Sequence, residues 1–289
     1  MPTILHIGCD KTGTTAIQRA LASRRSQLLD AGFLYPDLDG RPDHQLLLTE
    51  PSALHIDDRH TTLLLSFEGF WPAGPEGMEL LLDVLPKPIS VLAWARSPQR
   101  YVDAAFRQQC RLARSPRHLA ALLRVVQLPS AINPVANRCI RRYEQLRPWK
   151  ERFGESLTVF DYEKDSNDIV DAFSRATKLP ELEVAVERFN PSPSLVALHA
   201  LAMARSGGQF VDPNVFLRAA VELGEIARSP MVPEPVRQSC WRRTSDIRRA
   251  VGLDQHWETS GDVKPRLDQD LAAALLSKID LGSSHGENR

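Results

Sequence analysis

The chain has 289 residues, a length that suits one large α/β domain or two small ones and is ample for a buried core. With 36 Lys and Arg against 36 Asp and Glu the net charge is zero, so no broad positive field attracts polyanions and nucleic-acid binding is disfavoured. The 43% hydrophobic and 25% charged content is that of a globular protein, and the longest apolar runs, such as residues 63–65 and 196–204, are too short to span a bilayer.

Cys9, Cys110, Cys139 and Cys240 are scattered, with no Cys-x-x-Cys pair and no histidine cluster at metal-ligand spacing, so they read as reduced, mostly buried thiols. The chain opens without a basic region, apolar stretch and cleavage site, which makes the cytoplasm the expected location. Arginine greatly outnumbers lysine, and with the Ala and Pro content this hints at a GC-rich bacterial genome.

The first element is an apolar run over residues 3–7 that ends at Gly8, followed by a helical pattern over 14–29 with Ile17, Leu21 and Leu28 on one face. Short apolar runs at 62–67, 89–95 and 157–162, bounded by loop residues, read as buried parallel strands. Helical stretches at 99–114 and 138–153 lie between them. This alternation predicts an α/β fold, a three-layer sandwich around a parallel sheet with right-handed crossovers. After Asn190 only helical patterns follow, at 194–205, 214–227 and 235–251, which predicts a C-terminal helical cap over residues 191–281 on a core of residues 1–190, within one domain. Residues 282–289 are polar and read as a tail.

The segment with chemical content is Gly8-Cys9-Asp10-Lys11-Thr12-Gly13-Thr14-Thr15, where strand meets helix. Two glycines let the backbone wrap with N–H groups inward, and the helix start adds partial positive charge, so the turn suits an anion. A nucleotide-hydrolysing loop would carry Lys directly after the second glycine; here that position is Thr14 and the lysine is Lys11. Thr15 occupies the place of a Mg²⁺-binding hydroxyl, yet the second strand runs into Ser66-Phe67-Glu68 and the third into Arg96, so neither ends in a persuasive metal-binding aspartate and no metal is implied.

His6 to Thr15, His-Ile-Gly-x-x-Lys-Thr-Gly-Thr-Thr, resembles the 5′-phosphosulfate loop of sulfotransferases that use 3′-phosphoadenosine 5′-phosphosulfate (PAPS), in particular bacterial carbohydrate-type members. The resemblance covers about residues 3–195 and implies a P-loop-like fold. It also implies that Gly8, Gly13 and the amides and hydroxyls of Thr12, Thr14 and Thr15 hold the 5′-phosphate, while Lys11 reaches the oxygen bridging phosphate and sulfuryl. Chemistry independently asks for a cation where charge builds on that oxygen. Ala95-Arg96-Ser97-Pro98 is similar to the family's 3′-phosphate signature, with Arg96 as the anchor. The usual serine is Ala104, so Ser97 or a basic residue of the tail is left to complete the contact. Arg188-Phe189-Asn190-Pro191-Ser192 resembles a stretch that borders the nucleotide. Tyr162 and Glu163 read as packing and capping residues.

Attack by an acceptor hydroxyl needs a base. Glu68, just past the second strand, is the first candidate, since an acid in a similar place serves glycan sulfotransferases; His44, in Pro42-Asp43-His44-Gln45-Leu46, is the second. Phe70-Trp71-Pro72 offers either an apolar wall for a sugar or ordinary packing. The expected activity is metal-independent, in-line sulfuryl transfer from PAPS to a small-molecule or glycan hydroxyl. A P-loop kinase or nucleotide hydrolase and a non-catalytic nucleotide-binding scaffold are the alternatives.

Overall fold

A computed structural model describes residues 1–56, 62–165, 168–180, 194–208, 216, 220 and 230–253. Five strands form one sheet: β1 (Thr3–His6), β2 (Phe33–Leu34), β3 (Thr62–Ser66), β4 (Ile89–Ala95) and β5 (Leu157–Asp161). Every pairing is parallel and the order is β2-β3-β1-β4-β5, with Thr3 opposite both Leu63 and Ile89. Four strands match the apolar runs of the sequence. The fifth, β2, has only two residues, too few to leave a periodic signal.

Side chains alternate across a strand, so a sheet buried on both faces needs apolar residues at every position. Leu64, Leu92 and Trp94 pack on one face beneath helices α1 (Thr14–Ser23) and α10 (Ile169–Thr177), meeting Ile17, Leu21, Val170 and Phe173. The alternate set, Leu5, Leu63, Leu65, Val91 and Ala93, faces the other way and is at most 1% exposed. Both faces are therefore covered, which is the three-layer α/β arrangement read from the sequence.

The helices between are α2 (Arg25–Asp30), α3 (Phe70–Gly77), α4 (Glu79–Val84), α5 (Pro98–Arg111), α6 (Pro116–Val126), α7 (Pro134–Glu144), α8 (Leu146–Phe153) and α9 (Tyr162–Asp165). Proline opens α5, α6 and α7, where its missing N–H costs nothing and its fixed φ suits the first turn. Three stretches that read as single helices are broken. Arg24 leaves helical geometry (φ −120°, ψ 20°) between α1 and α2. Pro148 cannot donate to the carbonyl of residue 144, and the chain accordingly divides into α7 and α8. Thr244 separates α12 (Glu234–Arg243) from α13 (Ser245–Ala250).

Two compact units share the chain. The first comprises residues 1–97 with the described parts of 140–189 and 243–256, and it contains the whole sheet. In it Trp71 and Trp149 are both 0% exposed, and the Trp149 indole donates to the Trp71 carbonyl at 3.2 Å. The second unit comprises residues 98–139 with the described parts of 190–242, and its described elements are helical: α5, α6, α11 (Leu195–Ser206) and α12. Within it Asp103 accepts from Arg107 Nε (2.8 Å) and Val232 N (3.0 Å), and the Arg205 guanidinium donates to the carbonyls of Arg111 and Ala113 past the end of α5. Ala104 is buried in α5. The expected helix over 214–227 lies outside the described residues except for Phe216 and Ala220, as does the tail. All four cysteines are free and buried, as their spacing predicts. Among the described residues no helix is long and apolar enough to cross a membrane.

Candidate functional site

In an all-parallel sheet the strands deliver their C-terminal ends to one edge, and a crevice forms where successive connections leave in opposite directions. Here β1 lies between β3 and β4, so the turns after these three strands meet: Gly8–Thr15 after β1, Glu68 after β3 and Arg96 after β4.

The loop after β1 has a shape that its residues make necessary. Gly8 (φ 35°) and Gly13 (φ 73°) take positive φ, and Lys11 does so as well (φ 70°), which is unusual for a residue with a Cβ and stores strain at this point. The glycines are also required by space. A Cβ on Gly8 would stand 2.8 Å from Thr14 Oγ1, and one on Gly13 would stand 2.9 Å from Ile169 Cγ2. The hydroxyls of Thr12 and Thr14 donate to the Cys9 carbonyl at 2.5 and 3.2 Å, and both side chains are buried. They brace the loop, so the hydroxyls foreseen as phosphate ligands at these two positions are engaged inside the protein; the Thr15 side chain is partly exposed. The backbone N–H groups of Thr12, Gly13, Thr14 and Thr15 donate to no acceptor among the described residues, which is the property of a helix start that suits an anion. Cys9 is buried and its thiol pKa is raised well above the ordinary value, chiefly by desolvation.

Glu68 lies across this loop, its Cα 3.4 Å from the point where a Gly8 Cβ would sit. Its pKa is raised by desolvation and then by Asp10, while Lys11 and Arg142 oppose the rise. The side chain is exposed, so solvent screens the effect.

His44 is placed differently from a base. It is fully buried, its Nδ1 accepts from the Ser66 N–H (2.8 Å), and its Nε2 lies 3.1 Å from the Pro36 carbonyl. These partners assign the proton to Nε2 and leave neither nitrogen for an acceptor. Burial lowers its pKa to about 4. His44 thus braces the end of β3 two residues before Glu68. Beside it His6, 1% exposed, bonds Ser66 Oγ through Nδ1 (2.8 Å), and burial lowers its pKa to about 3.

Arg96 is only partly exposed. Its Nε donates to Glu163 Oε1 at 3.2 Å, its NH1 to the Lys11 carbonyl at 3.4 Å, and its guanidinium lies over the Tyr162 ring. Glu163 Oε2 also accepts the Ser97 N–H at 2.8 Å. Arg96 therefore ties α9 to the backbone of the loop at Lys11. Ser97 is 1% exposed and so enclosed by the protein. Glu163, read from the sequence as a capping acid, is the counter-ion of the proposed phosphate anchor. Phe70 and Trp71 are both fully buried and form no platform. Arg188 to Ser192 lie outside the described residues.

Sequence reasoning missed Arg142. From α7 its Nε donates to Asp10 Oδ1 at 3.0 Å and its NH1 to Gln145 Oε1 at 3.2 Å, while its own carbonyl accepts the Trp71 indole N–H at 2.7 Å. The pair joins residues 132 apart in sequence, and one arginine on an amphipathic helix carries no signal of such a partner. With side chains 26% and 23% exposed, a pair of this kind contributes roughly 0–1 kcal/mol. Among the described residues no three His, Cys, Asp or Glu side chains come together in a metal-binding group. A shallow cavity of about 110 Å³ lies between Pro72–Glu76 and the residues Gln145 and Pro148, and none of Gly8–Thr15 lines it.

No family model matches the chain, and no curated protein matches it.

Proposed function

We propose that the chain is a sulfotransferase with a P-loop-like core, moving a sulfuryl group from PAPS to an acceptor hydroxyl without a metal, with a sugar hydroxyl the preferred acceptor class. The observation that carries this reading is the loop Gly8–Thr15: a strained, glycine-dependent turn in which the N–H groups of Thr12–Thr15, at the start of α1, donate to no acceptor among the described residues, with Lys11 within the loop and Glu68 across from it. A lysine directly after Gly13, which nucleotide hydrolysis would use, is replaced by Thr14.

The donor supplies an activated sulfuryl group, and the chain's own residues do the rest. The amides of Thr12–Thr15 hold the 5′-phosphate. Glu68 accepts the proton of the acceptor hydroxyl as its oxygen bonds to sulfur. Lys11 neutralises the bridging oxygen, which keeps the electron pair of the broken S–O bond. A carboxyl with a raised pKa is a better proton acceptor near neutrality than an ordinary one, which suits Glu68 to that task. In this reading Arg96 holds the 3′-phosphate, exchanging Glu163 for it. His44 serves as a brace for β3. The proposal places the protein in the bacterial cytoplasm.

The test is transfer of labelled sulfuryl from PAPS to a panel of sugars and small hydroxyl compounds, with Glu68→Gln alongside. Product with the unaltered chain and its loss with the variant support the reading. No transfer to any acceptor, with hydrolysis of ATP instead, favours the kinase or hydrolase alternative.

A further inference from the structure

The site holds a second cation whose placement the loop alone does not explain. The main-chain carbonyl of Arg142 accepts the Trp71 indole N–H at 2.7 Å, and the backbone N–H of Trp71, which is fully buried, donates to the Ile7 carbonyl at 3.2 Å. Arg142 is thereby anchored to the exit of β1 and to the segment that follows Glu68. Its guanidinium reaches back to Asp10, the residue immediately before Lys11. Among the described residues the charges that act on Glu68 are Asp10 and Lys11 from the loop, Arg142 from α7 and Asp43 from the segment ahead of Gln45–Leu48, and of these Lys11 and Arg142 are cations. Lys11 is assigned to the leaving oxygen, and the attacking hydroxyl belongs with Glu68.

We infer that Arg142 orients the sulfuryl group in flight, exchanging Asp10 for the sulfuryl oxygens when the donor enters. This rests on the sulfuryl-transfer reading above. A partly exposed ion pair is weak enough to be exchanged, and the planar fork of a guanidinium matches two oxygens of one tetrahedral group where an ammonium does not. Asp10 keeps Arg142 extended toward the loop, and the incoming donor offers it anionic oxygens in exchange. The Gln145 side chain, 3.2 Å from NH1, holds the fork from its other side. Arg142 thus acts directly on the transferring group, while the phosphates remain with the loop amides and Arg96.

The experiment compares calorimetric affinities for PAPS, which carries the sulfuryl, and 3′,5′-adenosine bisphosphate, which lacks it. Arg142→Gln is expected to weaken PAPS about tenfold or more while changing the bisphosphate by less than about twofold, the scale of one charge-assisted bond. Arg142→Lys is expected to fall between. Equal loss for both ligands, or no loss for either, overturns the inference. Should Arg142→Gln not fold, Asp10→Asn decides: freed of its carboxylate, Arg142 is expected to favour PAPS over the bisphosphate more than in the unaltered chain, and an unchanged ratio overturns the inference. An unaltered chain that binds neither nucleotide overturns the sulfuryl-transfer reading and this inference with it. Binding of both with an unchanged PAPS preference in the variants overturns this inference alone.

Discussion

His44 Nδ1 accepts the backbone N–H of Ser66 at 2.8 Å, and the His44 backbone N–H returns to the Ser66 carbonyl at 3.2 Å. This reciprocal pair makes His44 part of the frame that positions Glu68. Replacing it by Ala leaves the buried Ser66 N–H without a partner and opens a void, so His44→Ala is expected to lower stability by about 1–3 kcal/mol. Denaturant titration checks this. Normal stability with abolished turnover would return His44 to the role of base.

The same burial sets a pH response. His6 and His44 have folded pKa values lowered to about 3 and about 4 from 6.5, so the unfolded chain binds more protons between these limits. Their contribution is fully present above pH 6.5 and is lost as pH falls, at about 1.4 kcal/mol per pH unit for each histidine inside its window. Glu68, with a raised pKa, works in the opposite sense. The urea midpoint is expected to fall between pH 6.5 and pH 4.5, and less steeply in a His6→Gln variant. A flat profile would contradict the buried neutral histidines.

Gly13 meets two demands at once, positive φ and a close approach to Ile169. Gly13→Ala is expected to cost about 1–3 kcal/mol and to abolish nucleotide binding, because strain at φ 73° adds to the contact with Ile169. Adding Ile169→Ala removes the contact and leaves the strain. Partial recovery of binding by calorimetry in the double variant is the expected result, and full recovery would show that backbone conformation does not matter there.

Much of this arrangement is legible in the sequence. The runs behind β1, β3 and β4 are apolar because both faces are covered, and the loop from Gly8 to Thr15 is local, so its glycines, lysine and threonines announce themselves. What the sequence hides is non-local or degenerate. A lone histidine ahead of a turn looks the same whether it meets an acceptor or, as His44 does, Ser66 22 residues away. Asp10 and Arg142 are ordinary charges until the fold joins them. Glu163 reads as a cap, and only the alignment of β4 with β5, which pairs Ala95 with Asp161, brings it to Arg96. Arg24 and Thr244 interrupt helices without glycine or proline to mark the breaks.

For the proposed 3′-phosphate anchor, the counter-ion gives a direct prediction. Glu163→Gln removes the carboxylate that holds Arg96, so binding of 3′,5′-adenosine bisphosphate is expected to tighten several-fold while that of adenosine 5′-monophosphate scarcely changes. Arg96→Ala is expected to weaken the bisphosphate by about tenfold or more and to erase most of the difference between the two. Calorimetry on the three proteins reads the ratio. Equal binding of both nucleotides by the unaltered chain would contradict the role of Arg96.

The central claim is that the loop around Lys11 accepts a bisphosphorylated adenosine and needs no metal to do so. The most direct measurement is the thermal midpoint of the full chain with 3′,5′-adenosine bisphosphate and no magnesium, against ATP with magnesium, since a ligand bound only by the folded state raises the midpoint by mass action. The account predicts a clear rise with the bisphosphate, its loss in Gly13→Ala, and a much smaller rise with magnesium and ATP. Equal or greater stabilisation by magnesium and ATP would contradict it.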